Sequence, residues 1–134
     1  MVLVKRQGVP LGITLAAATP LKVTLAEATL AAQVTPHRRL PRRLIADRGY
    51  HSNRMRARLA AHRVVLTSPY RANRTVRPFE DARRLHSCRR RWIVERSIAW
   101  FGAFRRLLTR HERSTRMLLA FCHFAAALIA VWRL

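Results

Sequence analysis

Residues 44–59 read LIADRGYHSNRMRARL, and the character of the chain changes twice within them. Leu44-Ile45-Ala46 is an apolar run of strand length, too short for a helix, and it stops at Asp47. Gly49 turns the chain, and Ser52 stands where its hydroxyl can cap a helix over Asn53 to His62. Val64-Val65-Leu66 then forms a second short apolar run. Strand, turn, helix and strand in this order predict an α/β layer with helices packed on a sheet. In such sheets reactive groups gather beyond the strand ends, which is where Asp47 falls.

Toward the N-terminus, Val2 to Val4 and Leu11 to Ala16 are apolar runs separated by KRQGVP. Gly8 and Pro10 mark a turn between them, so residues 1–18 read as a β-hairpin. Thr19-Pro20 breaks the second strand. Val23 to Gln33 (VTLAEATLAAQ) then has near-helical apolar spacing and good helix formers. Pro36 and HRRLPRR end that helix in a loop. Residues 19–67 are therefore read as helix and strand units holding Asp47.

Toward the C-terminus, residues 68–87 lack periodicity and carry Pro69, Pro78, several arginines and the acidic pair Glu80-Asp81. They read as a basic loop. Residues 89–113, RRRWIVERSIAWFGAFRRLLTRHER, then read as one basic helix. Its core stripe comprises Ile93, Ser97, Trp100, Phe101, Phe104, Leu107 and Leu108 at three-and-four spacing. Glu95 stands off most of that stripe, among Arg90, Arg91, Arg96, Arg105 and Arg106. It is either an ion-pair partner relieving arginine repulsion or a metal ligand placed where a polyanion docks. Ser114 is positioned to cap a last helix running to Trp132. Its segment MLLAFCHFAAALIAVW is apolar nearly all round yet shorter than the roughly 20 residues of a membrane span. It reads as a helix buried in the domain or in a subunit contact, with a single-span anchor as the lesser alternative, so no membrane partner is expected.

The composition bounds the function. A chain of 134 residues that is 50% hydrophobic supports one domain with a core. Lys and Arg number 27 against six Asp and Glu, a net charge of +21, and only Lys5 and Lys22 of the basic residues are not arginine. Arginine's planar donors match phosphate, so the chemistry predicts a nucleic-acid partner and salt-sensitive binding. Cys88 and Cys122 lie far apart with no CxxC, so neither a disulfide scaffold nor a zinc site is indicated, and a reducing cytoplasm is the expected compartment. The first residues lack the features of a secretory signal.

Asp47 and Glu95 could converge in an arginine-rich groove, share Mg²⁺ or Mn²⁺ and support in-line phosphodiester chemistry. Two ions would need a third acidic ligand. Against this stand two plainer readings, Asp47 as a turn former and Glu95 as a counter-charge. Tyr50 and Trp92 could stack on bases or simply fill the rim, and Arg71, Arg74 and Arg77 are candidate phosphate contacts.

LIADRGYHSNRMRARL, the basic linker, RRRWIVERSIAWFGAFRRLLTRHER and FCHFAAALI, in that order, resemble the C-terminal part of bacterial insertion-sequence transposases of the DDE class. The resemblance implies a partial RNase H-like α/β fold, with a mixed sheet, flanking helices and two C-terminal helices at residues 88–134. It implies that Asp47 is the second catalytic aspartate and Glu95 the catalytic glutamate, both holding Mg²⁺ or Mn²⁺. Arg48, Arg71, Arg74, Arg77, Arg90, Arg91, Arg105 and Arg106 would then contact DNA. Around the glutamate such proteins often carry a tyrosine seven before, an arginine four before and a lysine seven after. Those positions are Cys88, Arg91 and Gly102, so only the arginine matches. The first aspartate is expected on a strand before or at the start of the hairpin, yet the first acidic residue is Glu27. The expectation is a fragment, inactive alone, that is completed by an N-terminal transposase portion or a homo-oligomer. The alternative is a basic DNA-binding protein without chemistry.

Overall fold

The computed structural model describes residues 1–17, 22–34, 40–70, 82–109 and 111–133. Strands β1 (Val2–Val4) and β2 (Pro10–Ile13) form the expected antiparallel hairpin, with Val2 opposite Ile13, Leu3 opposite Gly12 and an irregularity between Leu3 and Val4. Gly8 makes the turn at φ 91°, a left-handed value that glycine adopts without strain, and its N–H donates to Lys5 O at 2.8 Å.

Helix α1 (Lys22–Ala31) packs on the face of the hairpin that presents Gly12. A Cβ at Gly12 would stand 2.8 Å from the Thr29 carbonyl oxygen, so the missing side chain is what allows helix and strand to approach this closely. Thr14, on the same face, is hydrogen-bonded through its hydroxyl to that of buried Thr29. Strand alternation turns Ile13 to the opposite face, where it is buried on the side of the C-terminal helices.

Strand β3 (Arg43–Ile45) pairs in parallel with β4 (Val65–Thr67), Leu44 opposite Leu66. A single 3-10 turn (Arg48–Tyr50) and helix α2 (Asn53–Ala61) make the crossover. Ser52 caps α2 as its position predicts, accepting from Met55 N at 3.3 Å. Ala26, Leu30, Met55, Leu59, Val64 and Leu66 form the main core, with Leu3, Leu44 and Tyr50 packed against it. Arg58 of α2 also bridges to Glu27 of α1 at 2.7 Å.

Helices α3 (Ala82–His86), α4 (Trp92–Gly102), α5 (Arg105–Leu108) and α6 (Thr115–Trp132) complete the described residues, with a 3-10 segment (Ser87–Arg91) leading into α4. The fold is mixed α/β, as expected, and differs from the expectation in four respects. The strands form two separate two-stranded ladders among the described residues, β1-β2 and β3-β4, where a single mixed sheet was expected. The end of the expected loop over residues 68–87 is helical, because Ala82–His86 forms α3. The expected single helix over residues 89–113 is broken: it ends at Gly102, a poor helix former, and Phe104 is extended, with its ring stacked on Trp132 at 6.5 Å. Leu108, expected in the core stripe, is therefore 71% exposed.

The last helix is the fourth difference. Ser114 caps it as expected, but only Ala125 and Ile129 are fully buried, while Phe124, Val131 and Trp132 are exposed. By length and composition α6 could cross a membrane, and it is the one such helix among the described residues.

Candidate functional site

Asp47 follows β3 directly, and the 3-10 turn fixes its position. Arg48 N donates to its Oδ1 at 2.6 Å, so Asp47 does serve as a turn former. The same oxygen accepts from Arg91 Nη1 at 2.8 Å, across 44 residues of sequence. Arg91 is one helical turn before Glu95, and this spacing places the two on one side of the helical segment. The ion pair thus ties the end of β3 to the segment that carries the glutamate.

Asp47 and Glu95 line the same open pocket of about 790 Å³, together with Arg90 and Arg91. Its walls are otherwise mostly apolar and come from β1, β3, α1 and the segment from Ser87 to Glu95. Glu95 is exposed to solvent and makes no ion pair or hydrogen bond among the described residues.

The position of α4 is set by Ser97, which is completely buried. Its hydroxyl lies 2.7 Å from Gly8 O and 2.8 Å from Ile93 O, which fastens the Glu95 helix to the hairpin turn. Arg96 adds a bond to Gln7 O at 3.1 Å and lies over the rings of both Trp92 and Trp100. Trp92 is half exposed beside that guanidinium. Tyr50 is on the pocket wall, where its hydroxyl donates to Met1 Sδ at 2.9 Å. Burial, and secondarily the charge of Asp47, pushes the Tyr50 phenol above its ordinary value.

The predicted basic residues divide into three groups. Arg90 and Arg91 line the pocket, and Arg48 is exposed beside Asp47. Arg105 and Arg106 are exposed on α5 and are not brought to the pocket; Arg106 lies 3.5 Å from Glu112 and over the Phe121 ring. The break after Gly102 separates them from the Glu95 segment. Arg71, Arg74 and Arg77 lie outside the described residues.

Two carboxylates offer the hard oxygen ligands that Mg²⁺ and Mn²⁺ take. No group of three His, Cys, Asp or Glu side chains converges among the described residues. The pair therefore fits a divalent ion in ligand type and falls one carboxylate short of the set that two ions would need. Sequence reasoning missed that Arg91 is the partner of Asp47, and it missed the apolar slot between β1 and β3. Position four before the glutamate was a signal for the first, while nothing local in the sequence signals the second.

Comparison with curated proteins gave no match, and comparison with solved structures gave none. A family profile described as Transposase DDE domain matches residues 1–130, nearly the whole chain. The chain belongs to the transposase DDE domain family.

Proposed function

We propose that this chain supplies the second and third acidic groups of a DDE transposase active site, Asp47 and Glu95, and the basic surface that holds the DNA backbone beside them. The observation that carries this reading is that two carboxylates far apart in sequence line one pocket, the first held by an arginine one turn before the second. Arg48, Arg90 and Arg91 would bind phosphates next to the reacting bond. Arg71, Arg74, Arg77, Arg105 and Arg106 would extend the contact along the duplex.

Asp47 and Glu95 are the residues that would hold Mg²⁺ or Mn²⁺, which when bound supplies charge stabilisation for cleavage and strand transfer at phosphorus. Asp47 is half exposed, and only its Oδ1 is engaged, so its second oxygen has no partner among the described residues. No third carboxylate converges on this pair among the described residues, so under this reading DNA cleavage depends on a further carboxylate brought to the pocket. We place this activity in the bacterial cytoplasm, at the nucleoid.

A second reading, DNA binding without chemistry, is favoured by the Arg91–Asp47 ion pair, which neutralises one of the two carboxylates. Mn²⁺ titration separates the two. Under the catalytic reading the chain binds Mn²⁺, both Asp47→Asn and Glu95→Gln weaken that binding, and the chain alone does not cut DNA. Mn²⁺ affinity unchanged by both substitutions supports the binding-only reading. Cleavage by the isolated chain that is lost in Asp47→Asn overturns the claim that the site is incomplete.

A further inference from the structure

We infer that α6 pairs in antiparallel sense with α6 of a second copy of this chain, along an apolar seam of Met117, Ala120, Phe124, Ala127 and Val131. All five are exposed, Met117 to 52%, Phe124 to 64% and Val131 to 66%. Steps of three, four, three and four residues set them on one narrow strip of the helix surface, and this seven-residue repeat is that of a helix pair. A different stripe, Leu118, Cys122, Ala125 and Ile129, is turned to the chain's own domain, where α6 meets β2, α4 and α5. At 3.6 residues per turn the two stripes lie on nearly opposite sides of the helix.

The order of sizes along the seam identifies the occupant. Large and small residues alternate strictly from Met117 to Val131, and facing helices pack without voids where large opposes small. An antiparallel second copy meets this condition by symmetry. With Phe124 opposite Ala120 of the second copy, Ala120 stands opposite Phe124 and Met117 opposite Ala127, so the contact is isologous and closes. A parallel pair in register sets phenylalanine against phenylalanine and leaves gaps at the alanines. Shifting it by one step restores the match but leaves an open end on each helix, which does not close.

Charge favours the same arrangement. The chain carries a net charge of +21, and exposed Arg116 flanks the seam. In a parallel pair the two Arg116 side chains meet. In the antiparallel register they stand about twelve residues, or about 18 Å, apart along the axis, beyond the screening length of roughly 8 Å at physiological salt. From Met117 to Val131 the helix rises about 21 Å, and a helix pair in contact over that length buries on the order of 1,000 Å² in total, about the least that a specific interface needs. The dimer is therefore reversible. Because apolar contact here opposes like charge, it tightens as salt rises, the reverse of DNA binding. The pairing rests on neither the pocket nor the proposed function.

Sedimentation equilibrium of the full chain without DNA, at concentrations up to about 100 μM, tests it. The expected result is a monomer–dimer equilibrium that strengthens with added salt. Phe124→Asp, at an exposed position, should weaken association at least about tenfold while circular dichroism shows the fold retained. Ala120→Leu should weaken it as well, because the added atoms meet Phe124 of the second copy, whereas in a parallel pair they would fill a gap and strengthen it. The double variant Ala120→Phe, Phe124→Ala exchanges the members of each facing pair and should associate more tightly than either single variant. A monomer at every concentration, a dimer that Phe124→Asp leaves intact, strengthening by Ala120→Leu, or a double variant weaker than both singles overturns the inference. So does a chain that stays monomeric yet binds anionic phospholipid vesicles through Phe124, which would make a lipid surface the occupant.

Discussion

Replacing Ser97 with alanine removes the buried side-chain bond that fastens the Glu95 helix to the hairpin turn and leaves only the exposed one from Arg96 to Gln7 O. The hydroxyl has a single proton shared between Gly8 O at 2.7 Å and Ile93 O at 2.8 Å. Ile93 O keeps its place in the helix ladder, whereas buried Gly8 O loses its side-chain donor. Leaving a buried acceptor unsatisfied costs about 1–3 kcal/mol, and alanine's better helix propensity returns a few tenths, for a net loss of about 1–2 kcal/mol. An unfolding entropy of about 2.1 cal/mol/K per residue converts this to a Tm lowered by about 4–7 °C. Thermal unfolding followed by circular dichroism measures it, and a change under about 1 °C refutes the assigned role of Ser97. A double-mutant cycle adds a second check. A Cβ at Gly8 would meet Ser97 Oγ at 3.0 Å and the Trp100 ring at 3.1 Å, at a backbone φ of 91°. Gly8→Ala should therefore cost less in the Ser97→Ala background, by about 0.5 kcal/mol or more, and strict additivity would show that the two positions do not touch.

Arg91→Gln should change stability by less than about 1 kcal/mol, because both partners of the Asp47 ion pair are partly exposed. It should also lower the salt slope of duplex binding by about one, and an unchanged slope removes Arg91 from the DNA contacts. Gly12→Ala places a Cβ 2.8 Å from a backbone oxygen of α1, so urea unfolding should show a loss of about 1–3 kcal/mol; a neutral result means α1 can shift freely. Burial pushes the Cys122 thiol and the Tyr50 phenol up, which favours their neutral forms in the folded chain. That contribution is whole below the ordinary thiol and phenol values of 9.0 and 10.0 and is lost as pH rises through the raised ones. Burial pushes the Met1 ammonium below 8.0, so its contribution is present above that pH and lost on acidification through the lowered value. Urea midpoints should therefore peak at about pH 8–9, and the alkaline decline should shrink in a Tyr50→Phe, Cys122→Ala variant.

The hairpin, α2 with its Ser52 cap, the β3 and β4 runs and the Ser114 cap were legible because each rests on local chemistry, a turn glycine, a capping hydroxyl or a short apolar run between breakers. The break at Gly102 was not, because the periodicity of the stripe continues through it. Stacking of Phe104 on Trp132, a contact between distant segments, accompanies the extended backbone there. Whether the last helix is buried within the domain was not legible for a related reason. An apolar composition states what a helix can bury, and only the surrounding fold states what it does bury.

The sequence alone determined that this is a basic α/β chain with an aspartate at a strand end and a glutamate inside an arginine-rich helix, because charge, period and turn residues are local properties. Its order of motifs was enough to point to the DDE class. Only the tertiary structure decided that Asp47 is held by Arg91, that no arginine among the described residues makes an ion pair with Glu95, and that both carboxylates border one pocket walled by β1 and β3. Those facts depend on which distant elements pack together, and packing is a property of the whole chain.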